Sequence, residues 1–535
     1  MGHPNDKATG GRARWRPRLL AVSSGVLLAA SHPDWSIALA GWVALVPLLL
    51  ALRDVEGWRG ALATGWLGGL VGFLGTVGWL YILGPYTGLG LPFGWAAAGA
   101  GGVLLAAYLA CFVALFAALV KLLLPTRGPL FVLGAAAAWT STEWLRGWLL
   151  TGFPWGALGY SQWNVLPVAQ LASLGSVSLV SLFLALVNAA LAEAIGRTTT
   201  REFRQAAVAV VTAVAAVVGA LVYGVASLSL IPPPARRMQV AVVPGNIPQN
   251  VRWKDERLRE NFDHYLLLIE KAVAASPELV VIPETSLMLP YLPPEDHARL
   301  WRVLQSRDVA LLAGMPRHWR RGGIASGHNA AVLMRPDGQV LGEYFKRHLV
   351  PFGEYIPLRQ VLPRFLVERV IGVGDWEFGT DWTVLSLPHA SGVEARIGAP
   401  ICFESVFPGI GRQFVRNGAN LLAVITNDGW YEGTSALAQH HVKSVFRAIE
   451  TRRAVVRSAN RGISSLIEPS GRILPQRVPA EDADAIIVGS VPLMAGTTPY
   501  VRLGDWPSAL ACGVVLGLVV VRVLRRRRGA GASAR

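Results

Sequence analysis

Glu284, Lys346 and Cys402 each close a short apolar run, in "ELVVIPE", "LGEYFK" and "RIGAPIC". A carboxylate, an ammonium and a thiol drawn into one cleft make a nucleophilic site. A free thiol titrates near 8.5, so a few per cent at most is thiolate near neutral pH, and a neighbouring base or positive charge must activate it. Glu284 has the chemistry of that base. When a thiolate attacks a carbonyl, negative charge grows on oxygen, and a fixed cation or N–H aimed at it contributes about 3 kcal/mol. Lys346 has the chemistry of that cation. Each residue alone also has an ordinary reading: a cysteine at a strand end as a small buried hydrophobe, a glutamate there as a solvated loop residue, a lysine as surface. Cys402 is set apart by the other two cysteines, Cys111 and Cys512, which fall in apolar stretches of membrane-span length. It is the one thiol of the polar region, with no disulfide partner there, in a compartment that favours disulfides.

The elements that must position these three residues are legible from Met238 onward. Short β-rich apolar runs alternate with amphipathic stretches: "MQVAVVPGNIP", "RLRENFDHYLLLIEKAVAA", "ELVVIPETS", "HARLWRVLQS", "VALLAGMPR". This predicts strand, helix, strand, helix, strand. Asp337 and Gly338 mark a hairpin turn, "ARIGAPICFES" and "ANLLAVITND" read as buried strands, "TSALAQHHVKSVFRAIETRRAVV" as a helix, and "EPSGRIL" as a closing hairpin. The expected domain is a mixed sheet covered by helices. In such sheets functional groups gather outside the carboxyl ends of strands, so three strand ends more than a hundred residues apart can meet.

The rest of the chain is built for a membrane. Of 535 residues 52% are hydrophobic and only 16% charged, with 19 tryptophans, a balance that excludes a fully soluble enzyme. Apolar stretches of span length lie near 17–32, 36–52, 60–84, 93–120, 129–147, 167–195, 206–231 and 507–524, about eight in all. The division expected is an N-terminal transmembrane domain over 1–235, a polar domain over 236–505, and a C-terminal span with a basic tail over 506–535. Every second loop is basic: Lys7 to Arg18, Arg53 and Arg59, Lys121 and Arg127, Arg197 to Arg204, and the tail Arg525 to Arg528. Lys and Arg collect on the cytoplasmic side, so both termini are expected inside and 236–505 outside, whether residues 1–32 stay as a span or are cleaved as a signal peptide. Arg146 alone falls on the other side, three residues after Glu143, a spacing that allows an intrahelical pair. Residues 236–505 hold 31 Lys and Arg against 27 Asp and Glu, so most of the +16 net charge flanks the apolar spans. That distribution argues against nucleic acid as a partner. In "GWLGGLVGFLG" the pairs Gly65/Gly69 and Gly68/Gly72 suit close helix packing, and the aromatic stretch "TGFPWGALGYSQW" suits the membrane interface or an anchor there.

The order Glu, Lys, Cys, with "VVIPET", "FKRHLVPFGEY" and "ICFES", resembles the nitrilase superfamily of carbon-nitrogen hydrolases. Seven spans, an outer nitrilase-like domain and one terminal span resemble its membrane-embedded branch, the apolipoprotein N-acyltransferases, over essentially the whole chain; "GNIPQNVRW", "KRHLVPFGEYIP", "ICFE" and "TNDGWY" are similar to that family's motifs. The resemblance implies an α-β-β-α sandwich in which Glu284 is the general base, Lys346 stabilises the oxyanion and Cys402 is the nucleophile. It implies supporting roles for Glu354 and Glu404, and a substrate pocket including Trp253, Phe403, Trp430 and Tyr431. Phe403 stands where the family often has tyrosine, so a hydrogen bond from that hydroxyl is lost. The implied reaction takes an acyl chain from a membrane phospholipid onto Cys402 as a thioester, then to the α-amino group of diacylglyceryl-cysteine in an apolipoprotein, at the bacterial inner membrane. The enzyme is expected to work as a monomer without cofactor or metal.

A thioester exposed to water hydrolyses, so apolar loops over the cleft are expected, with "VLPRFLVERVIGVGDW" and the Trp430–Tyr431 region as candidates. Two other classes stay open: a membrane-tethered amidase that uses the same residues but passes its acyl group to water, and a non-catalytic membrane scaffold. Metal chemistry fits poorly, since adjacent His440 and His441 would face different sides of a helix and no further ligand has the spacing. "GSVSL" lacks the second glycine of a nucleophile elbow, and no phosphate-binding glycine loop follows a strand.

Overall fold

The alternation read from Met238 onward becomes two sheets. The structure is a computed structural model and describes residues 6–90, 92–124, 128–196, 200–249, 257–321, 324–357, 376–478 and 485–533. It divides into two units, Met1–Leu80 with Gly99–Ser229 and Asp505–Arg535, and Tyr81–Ala98 with Leu230–Gly504.

In the second unit the strands are β1 (Arg236–Val242), β2 (Leu279–Val281), β3 (Ala310–Arg321), β4 (Ile324–Met334), β5 (Val340–Phe345), β6 (Leu385–Leu387), β7 (Ala395–Gly398), β8 (Leu421–Asn427), β9 (Val455–Asn460), β10 (Ser464–Ile467), β11 (Ile473–Val478) and β12 (Ile487–Leu493). They form two six-stranded sheets, ordered β12-β1-β2-β3-β4-β5 and β11-β10-β9-β8-β7-β6. β1, β2 and β3 are parallel, as are β7, β8 and β9. Every residue of β8 and β9 is buried; β8 reads as an apolar run without alternation, whereas β9, "VVRSAN", begins inside the stretch expected to be helix, which ends at Thr451.

Helices cover the outer faces. Leu258–Val273 buries Phe262, Tyr265, Leu266, Ile269, Ala272 and Val273, one face at steps of three and four. Together with Val280, Ile282, Leu311 and Val332 these form one core, and each large side chain fully buried there is worth about 1.5–3 kcal/mol. Pro408–Arg416 and Ala436–Thr451 belong to the second sheet. This is the α-β-β-α order expected. The hairpin at Asp337–Gly338 closes with Gly338 in the left-handed region and Arg335 N–H bonded to Gln339 O at 2.8 Å. The "EPSG" turn closes in the same manner, Glu468 N–H to Arg472 O at 2.9 Å with Gly471 left-handed.

The first unit is helical. Among the described residues five helices are long and apolar enough to cross a membrane: Gly57–Tyr86, Phe93–Leu123, Ala172–Ile195, Ala207–Ser229 and Trp506–Arg525. The count of about eight is not reached. The stretch 36–52 forms two short helices, Ala38–Gly41 and Val46–Asp54; nine residues rise only about 14 Å, half a bilayer core. The glycine pairs face different neighbours. A Cβ on Gly65 or Gly69 would stand 2.5 and 2.9 Å from atoms of Ala117 and Ala110, whereas one on Gly68 would stand 2.9 Å from Ala21 O. Arg146 and Glu143 lie 3.9 Å apart. Within the aromatic stretch 151–163, Trp155 and Tyr160 are buried against other side chains.

Candidate active site

Glu284 lies just beyond β2, and Lys346 is the residue after β5. These strands run in the same direction, so both side chains leave the sheet at one end. Lys346 Nζ donates to Glu284 Oε1 at 3.0 Å and to Glu354 Oε1 at 2.8 Å, and only 1% of its side chain is exposed. Burial opposes the ammonium charge, but Glu284 and Glu354 outweigh it and hold the lysine well above its ordinary range. Asn329, on β4, bridges the same two carboxylates, its Nδ2 standing 2.7 Å from Glu284 Oε1 and 3.1 Å from Glu354 Oε1. The other Glu284 oxygen accepts the backbone N–H of Asn427 at the end of β8, 2.9 Å away. Glu354 Oε2 accepts Val350 N–H at 2.8 Å, closing the "HLVPFGEY" loop on itself.

Cys402 comes from the other sheet. After β7 the chain makes a bridge through Ile401 to Ile425 of β8, then turns into the short helix Cys402–Val406. Cys402 has φ +51°, a left-handed backbone that costs a non-glycine residue on the order of 1 kcal/mol. The turn is held by Glu404, fully buried: its carboxylate accepts Ile401 N–H at 2.8 Å, Arg347 N–H at 2.7 Å, His348 N–H at 3.1 Å and the Tyr344 hydroxyl at 2.8 Å. One carboxylate thus joins the cysteine turn to the segment that carries Lys346. Burial pushes the Cys402 thiol well above its ordinary range; the Glu284 charge adds to this, while Lys346 and a hydrogen bond with Thr426 pull the other way. The thiol therefore rests neutral, within the electrostatic reach of both Glu284 and Lys346.

The structure brings Glu284, Lys346, Glu354, Glu404 and Cys402 together; the remaining expected residues have different surroundings. Phe403 is buried, its ring 5.7 Å from His348 and 5.1 Å from Phe407. Trp430 is partly exposed and meets Tyr86 edge-on at 5.1 Å. Tyr431, expected in the pocket, directs its hydroxyl to Asp428 Oδ1 at 2.8 Å and His440 Nδ1 at 2.9 Å. Trp253 and residues 361–375 of the expected cover loop lie outside the described residues.

Sequence reasoning missed Asn329, Asp428 and Arg457. Asp428 pairs with Arg457 at 2.7 Å and with His440 at 2.9 Å, all three buried. Burial alone would raise the Asp428 carboxyl, but His440 and Arg457 overcome it and hold it well below the usual carboxylate range. The one available signal was "TNDGWY" with "RSAN": Asn427 and Asn460 bond each other at 2.9 Å and reach back to Gln249 and Ile247 of "GNIPQN". Among the described residues no cluster of His, Cys, Asp and Glu is arranged to hold a metal. A neutral thiol beside a carboxylate and a fixed ammonium can attack a carbonyl and pass its proton to the carboxylate, while the ammonium shelters the oxyanion.

Comparison with known proteins adds to this geometry. Residues 24–190 match the family model described as the apolipoprotein N-acyltransferase N-terminal domain, and residues 239–498 match the carbon-nitrogen hydrolase model. A protein named apolipoprotein N-acyltransferase from Geobacter metallireducens is 36% identical over 516 residues, covering 96% of this chain and 96% of that protein. Proteins of the same name from Azotobacter vinelandii and Gloeobacter violaceus are each 34% identical; the first alignment covers 97% of this chain and 98% of the relative, the second 96% and 95%.

Proposed function

Because this chain belongs to the apolipoprotein N-acyltransferase family, we propose that it N-acylates lipoproteins at the bacterial inner membrane by a two-step transfer through Cys402. The observation that carries this reading is the buried Lys346 ammonium held between Glu284 and Glu354 beside the neutral thiol. In the first step Glu284 takes the thiol proton as sulfur attacks the ester carbonyl of a membrane phospholipid, and Lys346 faces the developing oxyanion. The ester C–O bond breaks, the proton passes from Glu284 to the leaving oxygen, and a lysophospholipid departs from a thioester. In the second step the α-amino group of diacylglyceryl-cysteine attacks the thioester and gives its proton to Glu284. The C–S bond breaks, an amide forms, and the thiolate recovers its proton. A positioned general base of this kind contributes roughly 10²–10⁴-fold.

Both substrates are lipid-anchored, which accounts for a nitrilase-like fold joined to apolar helices. The basic loops support placing the catalytic unit outside and both termini in the cytoplasm, with residues 1–235, 236–505 and 506–535 as membrane domain, catalytic domain and terminal span of a monomer. The test is to supply phospholipid with labelled acyl chains together with a peptide carrying an N-terminal diacylglyceryl-cysteine. Label in amide linkage on the peptide's α-nitrogen is expected. Labelled free fatty acid with an unmodified peptide would make the chain a hydrolase instead.

A further inference from the structure

The backbone carbonyl of Cys402 is gripped from behind. Ser405 Oγ donates to it at 2.9 Å and His440 Nε2 stands 3.2 Å from it, the two grips being 2.9 Å from each other. A carbonyl only accepts, so the contact with His440 is a hydrogen bond when Nε2 carries the proton. The other ring nitrogen faces Asp428 Oδ1 at 2.9 Å and Arg457 Nη2 at 3.2 Å. Asp428 Oδ1 already accepts hydroxyl hydrogens from Thr426 and Tyr431, each at 2.8 Å, and Oδ2 accepts Arg457 at 2.7 Å. The Tyr431 hydroxyl also stands 2.9 Å from Nδ1, so this edge of the ring is held by Asp428, Arg457 and Tyr431 while the Nε2 edge bears on the Cys402 carbonyl. Burial keeps the ring below its ordinary pKa, consistent with one proton rather than two.

A peptide group is planar and trans, so fixing its carbonyl also fixes the opposite N–H. Here that N–H belongs to Phe403, and gripping the carbonyl turns it away from the helix Ala436–Thr451 that supplies His440. We propose that His440 is a positioning residue for acyl transfer: with Ser405 it holds the Cys402–Phe403 peptide in its left-handed turn, and thereby sets the direction of the N–H that follows the nucleophile, while Asp428 and Arg457 hold His440. The inference rests on Cys402 being the nucleophile.

The two faces of the ring can be separated. The amide nitrogen of glutamine stands in for Nε2 and that of asparagine for Nδ1. His440→Gln is expected to keep kcat for acylation by phospholipid near wild type while lowering the unfolding temperature. His440→Asn is expected to keep more of that temperature but to lose roughly tenfold or more in kcat, with KM for the phospholipid unchanged. Ser405→Ala, which leaves Asp428 untouched, is expected to lower kcat in the same way and decides the matter if either histidine variant fails to fold. Equal kcat in His440→Asn or Ser405→Ala and wild type would overturn the proposal, as would rate and unfolding temperature falling together in both histidine variants. Wild-type protein that forms no acyl-cysteine would instead overturn the reading beneath it.

Discussion

Lys346 has its charge stabilised by two carboxylates at 3.0 and 2.8 Å, yet the thiol beside it is driven toward its neutral form. The sign follows from burial and from the negative charge of Glu284, which together outweigh Lys346. A raised pKa means less thiolate at every pH below it. Alkylation of resting Cys402 by iodoacetamide, followed by mass spectrometry of its peptide, is therefore expected still to rise with pH at about 10, where an ordinary thiol, half-ionised near 8.5, has levelled off. Glu284→Gln removes the base and is expected to slow acyl-enzyme formation about 10²-fold or more. Glu354→Gln keeps the loop hydrogen bond to Val350 and is expected to cost less; single-turnover acylation measures both. Glu284, Lys346, Glu354, Cys402 and Glu404 were legible because each stands in a recognisable local string. Asn329, Asp428 and Arg457 were not, since a polar residue inside a buried strand or at its end carries no periodic mark, and the partners that define its role lie 12 to 45 residues away.

At the scale of elements, the site depends on how closely β3 passes the end of β2. Gly314 lies in β3, and a Cβ there would stand 2.4 Å from Glu284 Cα and 2.6 Å from Thr285 N. Backbone cannot swing aside as a side-chain tip can, so Gly314→Ala must displace the segment that carries Glu284. A shift of about 1 Å in a catalytic group costs roughly 10²-fold, so acylation is expected to fall by that order while far-UV circular dichroism still reports both sheets. Strand and helix alternation was legible here because the hydrophobic period changes at each boundary. The division of 36–52 into two short helices was not, because hydropathy averages over a turn that interrupts the backbone without changing composition. The burial of Trp155 and Tyr160 was likewise hidden, since aromatic residues suit an interface and a helical core equally well by type.

At the scale of the whole molecule, the charge is distributed so that one basic loop alternates with one nearly uncharged loop. If that bias sets orientation, then with Cys111 and Cys512 replaced by serine a cysteine at exposed position His389 should react with a membrane-impermeant maleimide on intact spheroplasts, and one at exposed Arg59 only after permeabilisation. The reverse pattern would place the catalytic unit in the cytoplasm. The central claim is that Cys402 carries the acyl chain between two lipid-anchored substrates. The most direct measurement is the mass of the Cys402 peptide after the purified protein meets phospholipid in the absence of acceptor. The account predicts an acyl adduct on Cys402, lost on adding diacylglyceryl-peptide and missing from Cys402→Ala. An adduct on another residue, or undiminished transfer by Cys402→Ala, would contradict it.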